Sequence, residues 1–176
     1  MLPQEIDTPQ TDESPVIIET HDLSRIYPGV VALDNVNYRV YRNKVNVLIG
    51  ENGAGKSTMM KMLAGVETPS SGKIILDGKE VTLNSTHQAE KHGISIIFQE
   101  LNLFPNMNVM DNIFMANEFF QKGKINEKYQ YELAKSLLER LELNVDPYTQ
   151  LGELGIGHQQ LVEIARALSH DTRVLI

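Results

Sequence analysis

The stretch GENGAGKST at residues 50–58 constrains the fold of this chain more than any other feature. It follows the apolar run Val45–Ile49 and opens a segment with helical spacing, from Lys56 to about Ala64. This strand–loop–helix order with the spacing G-x-x-x-x-G-K-[ST] is typical of a phosphate-binding loop. The alternative, a Gly-rich turn with a surface lysine, is disfavoured because all four fixed positions are filled.

The chemistry of phosphate binding requires these residue types. The glycines let the backbone curl until several N–H groups converge on phosphate oxygens at a helix N-terminus. Lys56 supplies a positive charge for the β- and γ-phosphates, and the Ser57 hydroxyl can ligate Mg²⁺. We predict that the nucleotide-binding loop consists of Gly50, Glu51, Asn52, Gly53, Ala54, Gly55, Lys56, Ser57 and Thr58.

The composition excludes several classes of function and site. A formal net charge of -7 over 176 residues argues against a nucleic-acid surface, and the lack of Cys removes disulfides and thiolate metal sites. The five His residues are dispersed, which disfavours a metal site. The sequence has neither a signal-peptide pattern nor an apolar run of roughly 18 residues, so we expect a cytoplasmic protein. Residues 1–15 carry three Pro and four acids and are predicted to be a disordered lead-in.

The apolar patterns after residue 15 predict both strands and helices. Strands are expected at 16–23 and 37–41, at Val45–Ile49 as a central strand, at 93–98, and in a final strand that opens at 173–176. Asp77-Gly78 predicts a two-residue hairpin turn at a sheet edge or in a small antiparallel layer.

Helices are expected in four regions after the phosphate loop. They are 88–92, 109–117 behind an Asn108/Asp111 cap, 127–143 with Leu133, Leu137 and Leu141 on one face, and 158–169 with Leu161, Ile164, Ala165 and Leu168 on one face.

These motifs, taken in order, resemble the nucleotide-binding domain of an ABC transporter from about Val16 to the last residue. The resemblance implies an α/β fold with a P-loop NTPase (RecA-like) core, a small antiparallel β layer and a helical subdomain, with ATP and Mg²⁺ as ligands. Tyr27 matches the aromatic residue that stacks on adenine, although it could be an ordinary half-buried tyrosine. Gln99 matches the glutamine that contacts the metal and the attacking water, although a lone Gln at a strand end is usually a solvated cap. The resemblance makes Lys56 and Gln99 the catalytic residues, and Ser57 and Gln99 the metal contacts.

The segment LGIGHQ occupies the place of the family's signature loop, usually L-S-G-G-Q, which faces the γ-phosphate of ATP held by a second cassette. Its residues are Leu154, Gly155, Ile156, Gly157, His158 and Gln159. Gly155 replaces the signature serine, so a hydroxyl contact is lost, while the backbone N–H groups of Gly155 and Gly157 can still address a phosphate.

Three sequence segments are similar to the first cassette of two-cassette sugar-importer ATPases of the ribose, galactoside and xylose type. They are GENGAGKSTMMK, QELNLFPNMNVMDNIF and LVEIARAL. The resemblance implies a second cassette, transmembrane permease subunits and a periplasmic or extracellular sugar-binding protein as partners, with no nucleic acid. It also implies a location on the inner face of the cell membrane. Leu103 and Phe104 could belong either to the permease contact or to the core.

In the resembling family an Asp and a catalytic Glu follow the strand that opens here at 173–176, and a switch His comes later. We therefore expect 16–176 to be an incomplete ATP-binding domain, C-terminally truncated before these acids, that does not hydrolyse ATP by itself. Three hypotheses stay open: the ATP-binding part of a sugar importer, an inactive remnant that at most binds nucleotide, or a non-transport ABC ATPase.

Overall fold

The computed structural model describes residues 15–176, which form two compact units. The first contains the chain through Met62 together with Glu67–Thr82, and the second contains Leu63–Val66 and Leu83–Ile176. The expected disordered lead-in lies outside the described residues except for Pro15, whose carbonyl accepts a hydrogen bond from the Arg42 N–H. Within residues 15–176 no helix is long and apolar enough to cross a membrane.

An antiparallel sheet of four strands forms most of the first unit, in the order β2-β1-β3-β4. The strands are β1 (Val16–Tyr27), β2 (Val30–Tyr41), β3 (Ser71–Leu76) and β4 (Lys79–Val81). Leu76 pairs with Lys79 across Asp77 and Gly78, which both have positive φ, at 51° and 74°. These angles are those of the type I′ hairpin turn. The predicted hairpin and its place at a sheet edge are confirmed.

The predicted central strand at Val45–Ile49 was wrong. Residues 15–176 contain no strand hydrogen-bonded to this segment, and Val45, Val47 and Ile49 are 92%, 68% and 87% exposed. A strand with two apolar faces is stable only between partner strands, and no partner is in place here. Instead, the Asn46 side chain bonds both the N–H and the carbonyl of Tyr41, at 3.0 Å each.

The helix expected after the phosphate loop is confirmed as α1 (Lys56–Leu63). Its apolar side chains Met59, Met62 and Leu63 are at most 2% exposed. Their spacing of three and four residues places them on one face of the helix, which anchors the end of the phosphate loop.

The second unit contains a short parallel strand pair and the predicted helices. Its elements are α2 (Thr86–Lys91), β5 (Ile94–Ser95), α3 (Val109–Phe114), β6 (Phe120–Gln121), β7 (Lys124–Ile125), α4 (Glu127–Arg140), a 3-10 turn (Leu151–Glu153), α5 (Ile156–Leu168) and β8 (Val174–Leu175). Strands β5 and β8 are parallel, and the Ile97 N–H extends the pairing to the Ile176 carbonyl at 2.8 Å. The strands predicted at both places are confirmed but shorter, with two residues each.

Helices α3, α4 and α5 share one apolar core. Its buried members include Val109, Ile113, Phe114, Ala134, Leu137, Leu138, Val162 and Ala165, and the partly buried Leu133, Leu141, Leu161 and Leu168 pack against them. The helix faces predicted from spacing are therefore confirmed except at Ile164, which is partly exposed and does not belong to this core, whereas Val162 is buried in it. The Asn108 cap is also confirmed, because its Oδ1 accepts the Asp111 N–H at 2.7 Å.

Asn112 was not singled out by its sequence position, yet it is fully buried on α3. Its Oδ1 accepts the Phe104 N–H at 2.7 Å. Its Nδ2 donates to the carbonyls of Phe104 at 3.0 Å and Asn108 at 2.9 Å. One amide side chain thus bonds both backbone groups of Phe104, whose carbonyl also accepts the Met107 N–H at 3.1 Å.

We expect Asn112→Ala to lower the free energy of unfolding by about 1–3 kcal/mol, because the Phe104 N–H would lose its acceptor, while the Phe104 carbonyl keeps the Met107 N–H as a donor at 3.1 Å. Chemical denaturation measures this loss. Asn144→Ala, at an exposed position, is the control and should change stability by less than about 0.5 kcal/mol. Equal losses for the two variants would contradict the assigned role.

Candidate functional site

The phosphate loop bends through left-handed glycines before it enters α1. Gly53 and Gly55 have φ of +85° and +82°. The Ala54 N–H bonds the Glu51 carbonyl at 3.1 Å, and the Met59 N–H bonds the Gly55 carbonyl at 2.9 Å, which begins the helix. The N–H groups of the first helical turn have no partner within a helix and favour an anion at this end.

Gly55 lies directly against β2. A methyl group in place of its hydrogen would be 2.5 Å from the Ala32 carbonyl oxygen and 2.9 Å from Leu33 Cδ2. Only a residue without a side chain fits between these atoms. The lack of a side chain at Gly55 therefore allows the loop to lie directly against β2.

The Lys56 ammonium bridges the two sides of the loop. Its Nζ donates to the carbonyls of Gly50 at 2.6 Å and Glu51 at 2.7 Å. An ammonium has three donors, so these contacts leave one for a further acceptor. The arrangement holds a positive charge within the curl of the loop, and the role of this charge in phosphate recognition stays a prediction.

The loop fits a magnesium ion that is held mainly by phosphate oxygens. Ser57 is exposed in the first turn of α1 and offers a hydroxyl oxygen. Among residues 15–176 no group of three His, Cys, Asp or Glu side chains could hold a metal ion. Because Mg²⁺ keeps oxygen ligands and usually binds together with substrate phosphates, a hydroxyl beside the loop suits this role. Asn52 is exposed on the loop, and Thr58 is half-buried on α1.

Tyr27 and the phosphate loop are both close to the same end of the β1–β2 pair. Tyr27 ends β1 and pairs with Val30, and Leu33 of β2, next to Gly55, is three residues further on. Three residues of strand correspond to about 10 Å. The base-stacking and phosphate-binding candidates are thus brought to one side of the first unit.

Gln99 is exposed in a bend after β5, and Glu100 beside it is exposed as well. Both belong to the second unit, whereas the phosphate loop belongs to the first. Gln99 and the phosphate loop thus belong to different units, and the roles of Gln99 toward the metal and the water stay predictions.

The segment after Gln99 is tied to α5 through Asn102. The Asn102 N–H donates to Glu163 Oε1 at 3.4 Å, and an Arg166 amino group donates to the Asn102 carbonyl at 3.1 Å. Glu163 is only 8% exposed. The sequence analysis did not single out Glu163, although an acidic residue within the apolar run of α5 indicates a buried carboxylate with a polar partner.

Leu103 and Phe104 have separate roles. Leu103 packs against the apolar core of α3, α4 and α5. Phe104 is 49% exposed. Leu103 thus follows the core interpretation, and the permease contact stays a prediction for Phe104.

The predicted signature loop forms the start of α5. Gly155 is its N-cap residue without a capping side chain, and its carbonyl accepts the N–H groups of His158 and Gln159. The Gln159 side chain donates to the Leu154 carbonyl at 2.8 Å, which holds the preceding turn. Ile156 is 70% exposed, and Gly157 and His158 are exposed as well. The loop therefore presents an open helix N-terminus.

Comparison with known proteins agrees with these features. The family model described as ABC transporter matches residues 33–176. The xylose import ATP-binding protein XylG of Thermoanaerobacter pseudethanolicus is 47% identical over 165 residues, which are 93% of this chain and 33% of that protein. A putative ribose/galactose/methyl galactoside import ATP-binding protein of Halalkalibacterium halodurans is 46% identical over 91% of this chain and 31% of its own length. The chain thus spans about a third of the curated relatives it matches.

Solved structures confirm the fold. A nucleotide-free ATP-binding cassette from an ABC transporter is 26% identical with a TM-score of 0.74, and the match covers 92% of this chain and 68% of that one. An ATP-binding cassette of an ABC transporter in its ADP conformation has a TM-score of 0.76 at 26% identity and the same coverage. The predicted P-loop α/β architecture with an antiparallel layer and a helical part is therefore correct.

We expect Gly55→Ala to lower the stability of the nucleotide-free protein at least twice as much as Gly53→Ala. Both variants force alanine into a left-handed conformation, which costs about 1–2 kcal/mol. Only the Gly55 variant also pushes against β2, since nothing lies within 4 Å of a Cβ at Gly53. Urea unfolding of both variants measures the difference, and equal losses would contradict the contact with β2.

Proposed function

Because the chain belongs to the ABC transporter family, we propose that it is part of the ATP-binding subunit of an importer for a monosaccharide. Relatives named for the import of xylose and of ribose, galactose and methyl galactoside, at 47% and 46% identity, support the sugar class. In this proposal ATP binding and hydrolysis drive transport.

The observation that carries the proposal is the phosphate loop with its lysine between two carbonyls. In this proposal the backbone N–H groups of Gly53 and of Gly55 through Ser57 bind the β- and γ-phosphate oxygens, and the Lys56 ammonium adds a charge-assisted contact. Tyr27 stacks on the adenine ring. All of these residues lie in the first unit, which is therefore the ATP-holding part of the chain.

When bound with the nucleotide, Mg²⁺ would supply charge neutralisation on the β- and γ-phosphates. The Ser57 hydroxyl would hold it in the loop, and Gln99 would contact it and orient the attacking water. Gln99 is exposed and follows a core strand, so its amide is available for this contact. Lys56 and Gln99 are thus the two catalytic residues of the proposal.

Residues Leu154 to Gln159 act on ATP bound by a second cassette. The exposed N-terminus of α5 offers backbone N–H groups at Gly155, Ile156 and Gly157 for a γ-phosphate. Gly155 cannot provide a hydroxyl contact, so the backbone groups carry this recognition.

The other proposed partners are transmembrane permease subunits and a periplasmic or extracellular sugar-binding protein. The subunit then works on the inner face of the cell membrane. Phe104 is large, apolar and half exposed, five residues after Gln99. It is our candidate for the permease contact, because an exposed aromatic side chain is a typical anchor of protein interfaces.

Lys56→Ala is expected to weaken ATP binding by about tenfold to a hundredfold, because it removes a charge-assisted contact worth about 1.5–3 kcal/mol. Isothermal titration calorimetry of the two proteins measures this change. Lys79→Ala, at an exposed position of the same unit, should bind ATP as the parent does. Equal affinities for the parent and Lys56→Ala would refute the proposed site.

A polypeptide of these 176 residues is expected to release phosphate from ATP no faster than its Lys56→Ala variant. Phosphoryl transfer needs a positioned metal, a positioned water and a charge clamp together. Two acids lie beside the site candidates, Glu51 within the loop and Glu100 after Gln99, and both are exposed. Neither follows the strand at 173–176, where the family carries its catalytic acid.

The comparison is a chimera that continues after Ile176 with the corresponding segment of the Thermoanaerobacter xylose import protein. A phosphate-release assay should detect Lys56-dependent turnover in the chimera alone. Equal turnover by both chains would contradict the expectation.

A further inference from the structure

Glu67 lies in the turn after α1, and its side chain is 19% exposed. Its backbone N–H donates to the Lys61 carbonyl at 3.3 Å, which folds the turn back onto the helix. Its carboxylate accepts a hydrogen bond from the Tyr27 hydroxyl. A residue 40 positions further along the chain therefore holds the tip of the aromatic side chain that ends β1.

Two cations hold this carboxylate in place. Arg25 Nε is 3.4 Å from Glu67 Oε2, and Lys61 Nζ is 3.7 Å from Oε1. Arg25 also donates to the Thr68 carbonyl at 2.7 Å, so its guanidinium is fixed from a second side. Because these charges are partly exposed, the pairs contribute little to stability by themselves. Their effect is to fix the position of the oxygen that Tyr27 contacts.

The same guanidinium covers one face of the Tyr27 ring, with its central carbon 4.8 Å from the ring centroid. This is the geometry of a cation–π contact. With the hydroxyl bound to Glu67 and one face against Arg25, the ring can stack on a base only through its other face. Its orientation is set before any base arrives, which lowers the ordering cost of binding.

Lys61 connects this cluster to the phosphate loop, because it lies on α1, which starts at Lys56. Glu67 thus contacts the strand that carries the stacking residue and the helix that begins at the phosphate-binding lysine. We propose that Glu67 is a positioning residue that orients Tyr27 for adenine stacking and ties it to the phosphate-loop helix. The proposal rests on the proposed function, in which Tyr27 stacks on adenine.

The test compares ATP with inorganic tripolyphosphate, which has phosphates but no base, by calorimetry. Glu67→Ala and Tyr27→Phe should each weaken ATP binding by about threefold to tenfold, since each removes the same hydrogen bond and leaves the aromatic ring. The double variant should be no weaker than either single one. Tripolyphosphate affinity should not change. Glu67→Gln, whose amide oxygen still accepts from the hydroxyl, should restore most of the ATP affinity.

Glu80→Ala is the matched control, since Glu80 is an ion-paired carboxylate of the same unit, 3.0 Å from Lys73. It should bind both ligands as the parent does. If Glu67→Ala weakens ATP and tripolyphosphate equally, Glu67 has only a structural role and the proposal is wrong. Additive losses in the double variant would overturn it as well. Should Glu67→Ala fail to fold, Tyr27→Phe decides alone, and an unchanged ATP affinity overturns the proposal.

The proposed function is judged separately. If the parent protein does not bind ATP, or binds it equally well after Lys56→Ala, the ATP site itself is refuted. If ATP binding depends on Lys56 and falls in Tyr27→Ala but not in Tyr27→Phe or Glu67→Ala, the ATP site stands and the positioning role of Glu67 is refuted.

Discussion

The close approach of Gly55 to β2 is the constraint on which the candidate site depends. The backbone of the phosphate loop comes so near to Ala32 and Leu33 that no side chain fits between them. This contact fixes the loop on the strand pair that ends at Tyr27. The loop and Tyr27, which are the proposed contacts to the phosphates and the base, therefore share one support, the antiparallel layer of the first unit, and a change in the twist of β1 and β2 would displace both.

The local parts of the fold could be predicted from sequence because their signals are local. The Asp77-Gly78 turn needs two adjacent residues that tolerate positive φ, and the helix faces need only regular spacing. Reasoning from local signals failed at Val45–Ile49. Its composition is that of a central strand, but a strand exists only through hydrogen bonds to partners elsewhere in the chain. Without such partners the segment forms no strand, and Val45, Val47 and Ile49 are exposed.

The long-range contacts of polar side chains could not be predicted for a related reason. Glu67 and Asn112 have ordinary positions in the sequence, and the position of Glu163 within an apolar run indicates a buried acid but not the segment that it contacts. Glu67 reaches Tyr27 across 40 positions, and Glu163 reaches Asn102 across 61. The motif residues of the phosphate loop were predictable because one short segment contains the whole arrangement.

The contact between Asn102 and α5 gives the second unit a comparable internal link. Gln99 and the start of α5 are the two stretches of this unit with proposed roles at bound ATP, and Asn102, three residues after Gln99, contacts the second half of α5 through Glu163 and Arg166. A displacement of the segment after Gln99 away from α5 would leave the nearly buried Glu163 carboxylate without this partner, which is costly. The segment and the helix are therefore expected to move together. In each unit a carboxylate thus contacts a segment distant in sequence, Glu67 at Tyr27 and Glu163 at Asn102.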